Sequence, residues 1–314
     1  SIDGPAVAEH GVQGFGVAVE VDAGAELALD GAAEAPGPEG AFDGRVLGAE
    51  VDVDADLGSS FDDRGELVAE AGEGFGVVGE GGLVAEHGIA AEGLTLPVAW
   101  DDPNFLPFDW GYFAFVHRAD LEDVPTSFEE LAASDTSIII QDPRSSTPGL
   151  GLLMWVQNAY GERAGEIWEG LSDNVVTVTP GWSEGYSLFL EGEADMVLSY
   201  TTSPAYHLIA EEDDSYTAAP FDEGHYLQIE VAGIVATTDV PDLAAQFLEF
   251  MLTPAFQEAL PTTNWMYPAA LEAEALPEGF ETLIEPGEAL IFPSETAAEM
   301  REEALATWQS ALSQ

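Results

Sequence analysis

Lysine is absent from this chain, and its six basic residues are all arginine, at positions 45, 64, 118, 144, 163 and 301. Against them stand 60 acidic residues, a formal net charge of −54. Phosphate backbones and anionic bilayers would be repelled at long range, so nucleic acid and membrane surfaces are excluded as partners. The same charge strains the compact state by self-repulsion, which concentrated salt screens within a few ångströms. Salt adaptation is therefore expected. The melting temperature should climb as NaCl is added, and a flat or falling curve would rule the idea out. Cysteine is also missing, which removes disulfides, thiolate metal sites and a thiol nucleophile without identifying a compartment. No apolar run reaches the roughly 18 residues of a spanning helix. The opening SIDGPAVAEH has neither the basic start nor the apolar core of a signal peptide, so an export signal is expected to have been removed or lost.

Aromatic residues are unevenly spread. All seven Trp and eight Tyr lie at Trp100 or beyond. Upstream of about residue 90 the chain is dominated by Gly, Ala, Val, Asp and Glu, with weak strand-like alternation at 17–23 and 49–57. Segments so poor in large apolar side chains struggle to offset their ordering entropy. The codons of those five amino acids all begin with G, the composition expected of GC-rich DNA read out of frame. Sequencing the 5′ part of the gene tests this. Gly74, Gly76 and Gly79 fit G-x-G-x-x-G, but no convincing strand precedes them and glycine is abundant, so the match reads as chance.

Downstream the pattern is that of an α/β protein. Strands are expected at 110–117, 137–141, 175–178 and 196–200, and helices at 127–133, 184–190, 243–252, 254–260 and 296–312. Another helix should begin near 147, with Thr147 as its N-cap and Pro148 at its first position. Short strands alternating with helices argue for parallel sheets covered on both faces. A chain of 314 residues exceeds what one core usually serves, so two lobes are expected.

Four segments carry the chemistry: QDPRSSTPG (141–149), GWSEGY (181–186), SYTTSPAYH (199–207) and NWMYP (264–268). The first three join a strand to a helix start, where ligands of open α/β sheets bind. Free N–H groups at a helix start would let Ser146 and Thr147 hold a phosphate without lysine; an ordinary helix cap is the plainer alternative. Trp182, Tyr200, Tyr206 and Trp265 offer ring faces to a cation, at roughly 0.5–2 kcal/mol each. Taken alone, each ring reads more readily as core packing than as a ligand contact. The five His show no metal-ligand spacing. His207 and His225 are expected to satisfy local hydrogen bonds, and 211–214 to form a solvated acidic turn.

From His87 onward, PFDWGYFAFV, QDPRSSTPGLGLL, GWSEGYSLFLEGEADMVLSYTTSPAYH, EGHYLQIEVA and PTTNWMYP resemble the periplasmic thiamine-binding proteins, members of the two-lobed solute-binding group. The family's opening strand with its Tyr residues has no counterpart in residues 1–86. The resemblance implies a type II periplasmic-binding-protein clamp, α/β in class, hinged on two crossing strands. One lobe would hold 1–111 plus 226–314 and the other 112–225, with the chain leaving near Trp110–Tyr112 and returning near His225–Glu230. It implies no cofactor and no catalysis. The ligand would be thiamine, thiamine monophosphate or thiamine diphosphate, held by Ser146 and Thr147 on the phosphate side. Trp182, Tyr200, Thr201, Thr202, Ser203, Pro204, Tyr206 and Trp265 would form the rest of the pocket. The resemblance further implies a monomer outside the inner membrane that delivers its cargo to an ABC permease and its ATPase. A polyamine, ferric ion or sulfate carrier of the same fold is the alternative. Thiamine-cleaving enzymes share the fold too, but need a Cys nucleophile that this chain lacks.

Overall fold

The computed structural model describes residues 82–91 and 93–313, together with the backbone of three short strands, β1 (Gly16–Val19), β2 (Ser60–Phe61) and β3 (Leu67–Val68). The 49–57 segment and the glycine fingerprint at 74–79 lie outside the described residues. Two long strands organise the rest. After β4 (Val84–Ala85) comes β5 (Phe105–Arg118), whose 14 residues are almost all buried. Its first half pairs antiparallel with β10 (His225–Val235), from Phe105 opposite Gly233 to Tyr112 opposite Leu227. Its second half, from Phe113 onward, pairs instead with β8 (Met196–Tyr200) and β9 (Tyr216–Ala218). One strand thus serves two regions of sheet, as expected of a hinge-crossing segment. It is longer than the 110–117 read from its aromatic run, because Phe105, Leu106 and Phe108 continue the buried pattern.

Beyond β8 the sheet runs through β6 (Ile138–Gln141) to β7 (Val175–Thr179), and β6 is parallel to both neighbours. Parallel pairing requires helical crossovers. The chain supplies α2 (Thr147–Tyr160) and α3 (Ala164–Leu171) between β6 and β7, and α4 (Trp182–Leu190) between β7 and β8. The preceding α1 (Phe128–Ala133) is capped by the Ser127 side chain, which accepts from the Glu130 amide at 3.0 Å, as its sequence suggests. After β8 come α5 (Ser203–Ala210), α6 (Pro241–Met251), α7 (Pro254–Gln257), α8 (Leu260–Thr263), β11 (Tyr267–Pro268) and β12 (Ala289–Leu290). The helix read at 254–260 is two short helices, the second starting at Leu260 with Pro261 in its first turn.

The largest core gathers Phe115, Phe128, Trp155, Phe221 and Trp168 beneath α1, α2 and α3. Trp155 is sealed among three Phe rings, and its indole N–H donates to the Gly224 carbonyl at 2.9 Å. Other cores pack α6 on β5 and β10 and fill the opposite face of that pair with Tyr112, Leu227, Ile229 and Val231. The C-terminal helix α9 (Ser294–Leu312) adds Ala297, Ala304, Trp308 and Ala311 to the largest core. It therefore lies on α2 and α3, with residues from 112–225, rather than with the 226–260 segment that the expected boundaries put it beside. Its apolar stripe found the larger uncovered surface.

Candidate functional site

Three strand ends face the same way. Because β8, β6 and β7 are mutually parallel neighbours, the turns that follow them share one edge of the sheet. Those turns carry Tyr200–Ser203, Asp142–Thr147 and Pro180–Trp182. Hydrogen bonds tie two of them together: Asp142 N–H donates to the Thr179 carbonyl at 2.9 Å, and Ser145 Oγ to the Pro180 carbonyl at 2.8 Å.

On the first turn, Ser146 rather than Thr147 is the N-cap of α2; its backbone is extended and its side chain makes no capping bond. Thr147 is already helical, because the Asp142–Ser146 turn closes one residue earlier than the Thr-Pro pair suggests. Ser146 is buried and Thr147 half-buried. Arg144, two residues away, is held by Asp142, with Nε 2.8 Å from Oδ1. That pairing lowers the Asp142 pKa and fixes a cation beside the helix start. The close packing of α2 on β6 leaves no room for a Cβ at Gly149, which would meet the Gln141 carbonyl oxygen at 2.4 Å.

On the second turn, α4 begins at Trp182, two residues before the expected start, with Gly181 as its cap. Trp182 stacks on Tyr186, ring centroids 4.8 Å apart, and its indole N–H donates to Ser199 Oγ at 2.8 Å. Ser199 in turn lies 2.6 Å from Ser203 Oγ, which accepts from the Tyr200 amide at 3.2 Å. This serine relay locks the indole to the third turn. Tyr186 is itself held by buried His207, its hydroxyl 2.9 Å from Nε2, while His207 Nδ1 lies 2.6 Å from Glu211. Glu211 stays exposed in the acidic turn read at 211–214 and also anchors this histidine. His225 bridges the Phe113 carbonyl and the Phe221 amide, a purely local role.

On the third turn, Thr201, Thr202, Ser203 and Pro204 are buried, whereas Tyr200 and Tyr206 are half-exposed. Tyr200 packs on Phe113 at 5.2 Å. The Thr201 amide donates to the Tyr112 carbonyl, but its hydroxyl oxygen is buried with no hydrogen-bond partner. Thr202 Oγ1 donates to Met266 Sδ at 3.7 Å, and Tyr206 meets Trp265 edge to face at 5.3 Å. The 264–268 segment is thereby drawn to the third turn. Trp265 has φ of 58°, a left-handed conformation that bulky residues rarely adopt. Trp182, Tyr200, Tyr206 and Trp265 are all half-buried, unlike Trp155 and Trp168 in the core. Trp182 and Tyr200 are linked through serines, and Tyr206 and Trp265 touch directly.

A family model for bacterial extracellular solute-binding proteins matches residues 108–262. The thiamine-binding periplasmic protein of Escherichia coli (strain K12) is 53% identical over 236 residues, 74% of this chain and 71% of the relative. That of Brucella abortus biovar 1 (strain 9-941) is 45% identical over 235 residues, 74% of this chain and 70% of the relative. This chain belongs to the family of thiamine-binding periplasmic proteins. A solved periplasmic thiamin binding protein superposes with a TM-score of 0.73 at 49% identity, covering 76% of each chain. A ferric binding protein from Campylobacter jejuni, 18% identical with a TM-score of 0.61 over 73% of this chain and 78% of its own, shares the fold alone. The type II two-lobed clamp expected from the sequence is the fold of these neighbours.

One group of polar side chains is missing from the sequence-derived site. Asp109 on β5 and Glu230 on β10 are directly paired, and Asn264 Nδ2 reaches both carboxylates, at 2.7 and 3.2 Å. Gln228 Nε2 donates to Glu230 Oε1 at 3.1 Å. Burial, with the negative Glu230 beside it, raises the Asp109 pKa well above the usual carboxylate value. The signal was present in the chain: Asp109, Gln228 and Glu230 are polar residues on one face of otherwise apolar strands.

Proposed function

We propose that this chain is the extracytoplasmic capture component of a thiamine importer, binding thiamine or its phosphates and handing them to an ABC permease and its ATPase. The observation that carries the reading is the pairing of close family identity with one sheet edge where half-exposed Trp182, Tyr200 and Tyr206 sit among buried hydroxyls, with Trp265 against Tyr206. A thiazolium carries a permanent charge that no proton loss can remove, so aromatic faces are a suitable receptor. The hydroxyls and backbone groups of 201–203 suit the aminopyrimidine, and the unpartnered Thr201 Oγ1 is an acceptor or donor in reserve. The start of α2, with Ser146, Thr147 and nearby Arg144, suits a phosphate. Binding draws 264–268 onto the other turns, so ligand and closure reinforce each other. The protein acts as a periplasmic monomer and performs no chemistry on its cargo. Among the described residues no helix is long and apolar enough to cross a membrane.

The test is titration of thiamine, its monophosphate and its diphosphate into the purified chain, following Trp fluorescence, with spermidine as competitor. Saturable quenching by at least one thiamine species, unaffected by spermidine, is expected. Absence of quenching by all three, or equal competition by spermidine, overturns the reading.

A further inference from the structure

The paired β5 and β10 have two unlike faces. Tyr112, Leu227, Ile229 and Val231 fill an apolar core on one. By the alternation of a strand, Asp109 and Gly111 share the other with Gln228 and Glu230, their partners across the ladder. Gly111 lies directly against Met266: a Cβ there would come 2.8 Å from Met266 Cε and 4.0 Å from Thr202 Oγ1. The polar face thus looks toward the segment that carries Asn264, Trp265 and Met266, which meets the third ligand turn at Thr202 and Tyr206.

Two carboxyls side by side, Asp109 fully buried and Glu230 half-buried, cannot both ionise without strong repulsion, so one proton is shared between them. Asp109 and Glu230 lie within hydrogen-bond reach of each other, and among the described residues Glu230 is the titratable group acting on Asp109. Asn264 and Gln228, which hydrogen-bond to the pair, are uncharged amides. Asp109 Oδ1 is buried without a hydrogen-bond partner, an arrangement tolerable for a protonated acid and costly for an anion. A doubly charged pair gains most by admitting water, and the way to admit it is to move Asn264, which bridges both groups and precedes Trp265.

We propose that the Asp109–Glu230 pair is a proton-linked positioning device, which holds the Asn264–Trp265 turn against the ligand turns while one proton is shared and loosens it when that proton leaves. Both are positioning residues, acting through Asn264 on Trp265. The proposal rests on Trp265 being a ligand-gripping residue, but half of its test needs no ligand.

The ligand-free full chain is melted at a series of pH values as wild type and as Asp109→Asn. The unfolded chain releases this proton near 3.8, whereas the folded chain keeps it to higher pH. Stability from Asp109 is therefore complete at acid pH and is lost as pH climbs from there through the folded value. The wild type should show that decline and Asp109→Asn should lack it. Trp emission of the ligand-free wild type should shift over the same pH range, and the shift should vanish in both Asp109→Asn and Trp265→Phe. Thiamine affinity of the wild type should weaken by up to about tenfold per pH unit in that range, the limit for one linked proton, while that of Asp109→Asn stays level with pH. Parallel pH profiles for wild type and Asp109→Asn in melting and emission overturn the proposal, even if thiamine binds. If melting and emission behave as expected but no thiamine species binds at any pH, the pair is a proton switch on Trp265 and the functional reading is what fails.

Discussion

Replacing Trp265 by glycine is expected to weaken thiamine binding by roughly 30-fold or more, the effect of removing one anchoring aromatic worth about 2 kcal/mol, yet to leave the chain more stable than Trp265→Ala. The reason lies in the backbone. Helix α8 ends at Thr263 with Asn264 as its cap, and Trp265 follows with φ of 58°, its amide donating to the Leu260 carbonyl at 3.1 Å. This is the left-handed position after a helix end where glycine is preferred. A side chain there costs about 1–2 kcal/mol, which alanine bears and glycine escapes. Tryptophan in such a place is retained for what its ring does, and here the ring meets Tyr206 beside the ligand turns. Thermal melts of the two variants and calorimetric titration with thiamine decide the matter. A glycine variant no more stable than the alanine one would show that the backbone is not strained. Wild-type affinity in both variants would remove Trp265 from the site.

The strand ends of this protein were readable because each is announced by local chemistry. Ile138–Gln141 and Met196–Tyr200 are short buried runs followed by Ser, Thr, Pro or Gly, and such sequences switch from strand to helix over a few residues. The aromatic turns proposed to bind the ligand follow the same kind of strand end. What escaped was whatever depends on pairing between distant segments. Nothing local to Asp109 says that Glu230 will lie opposite it, or that Asn264 will bridge the two; only the antiparallel register of β5 and β10 brings them together. The destination of α9 was equally hidden, since its mixed Ala, Glu and Trp surface fits any apolar floor, and the floor it covers is built by α2 and α3. The start of α2 was misjudged by one residue, because the Asp142–Ser146 turn, not the favourable Thr-Pro pair, sets where the helix begins.

Gly149→Ala tests whether the packing of α2 positions the phosphate-side residues. The added methyl would stand 2.4 Å from the Gln141 carbonyl oxygen and 2.7 Å from the Asp142 carbonyl carbon. Both are backbone atoms of a buried strand end, so no rotamer change can make room, and the first turn of α2 must lift away from β6. Overpacking of this kind costs about 3 kcal/mol, a fall of roughly 5 °C in melting temperature for a chain this size. Gly151, two residues further on, faces Phe113 with a hypothetical Cβ 2.0 Å from the ring, so the helix cannot yield by sliding along its axis. The lift instead falls on Ser146 and Thr147, immediately before the clash. On the proposed placement of the phosphate at the helix start, thiamine diphosphate should accordingly lose more affinity than thiamine. An alanine variant that melts like the parent would mean the contact relaxes elsewhere. Equal losses for the two ligands would show that Ser146 and Thr147 cap a helix and grip no phosphate.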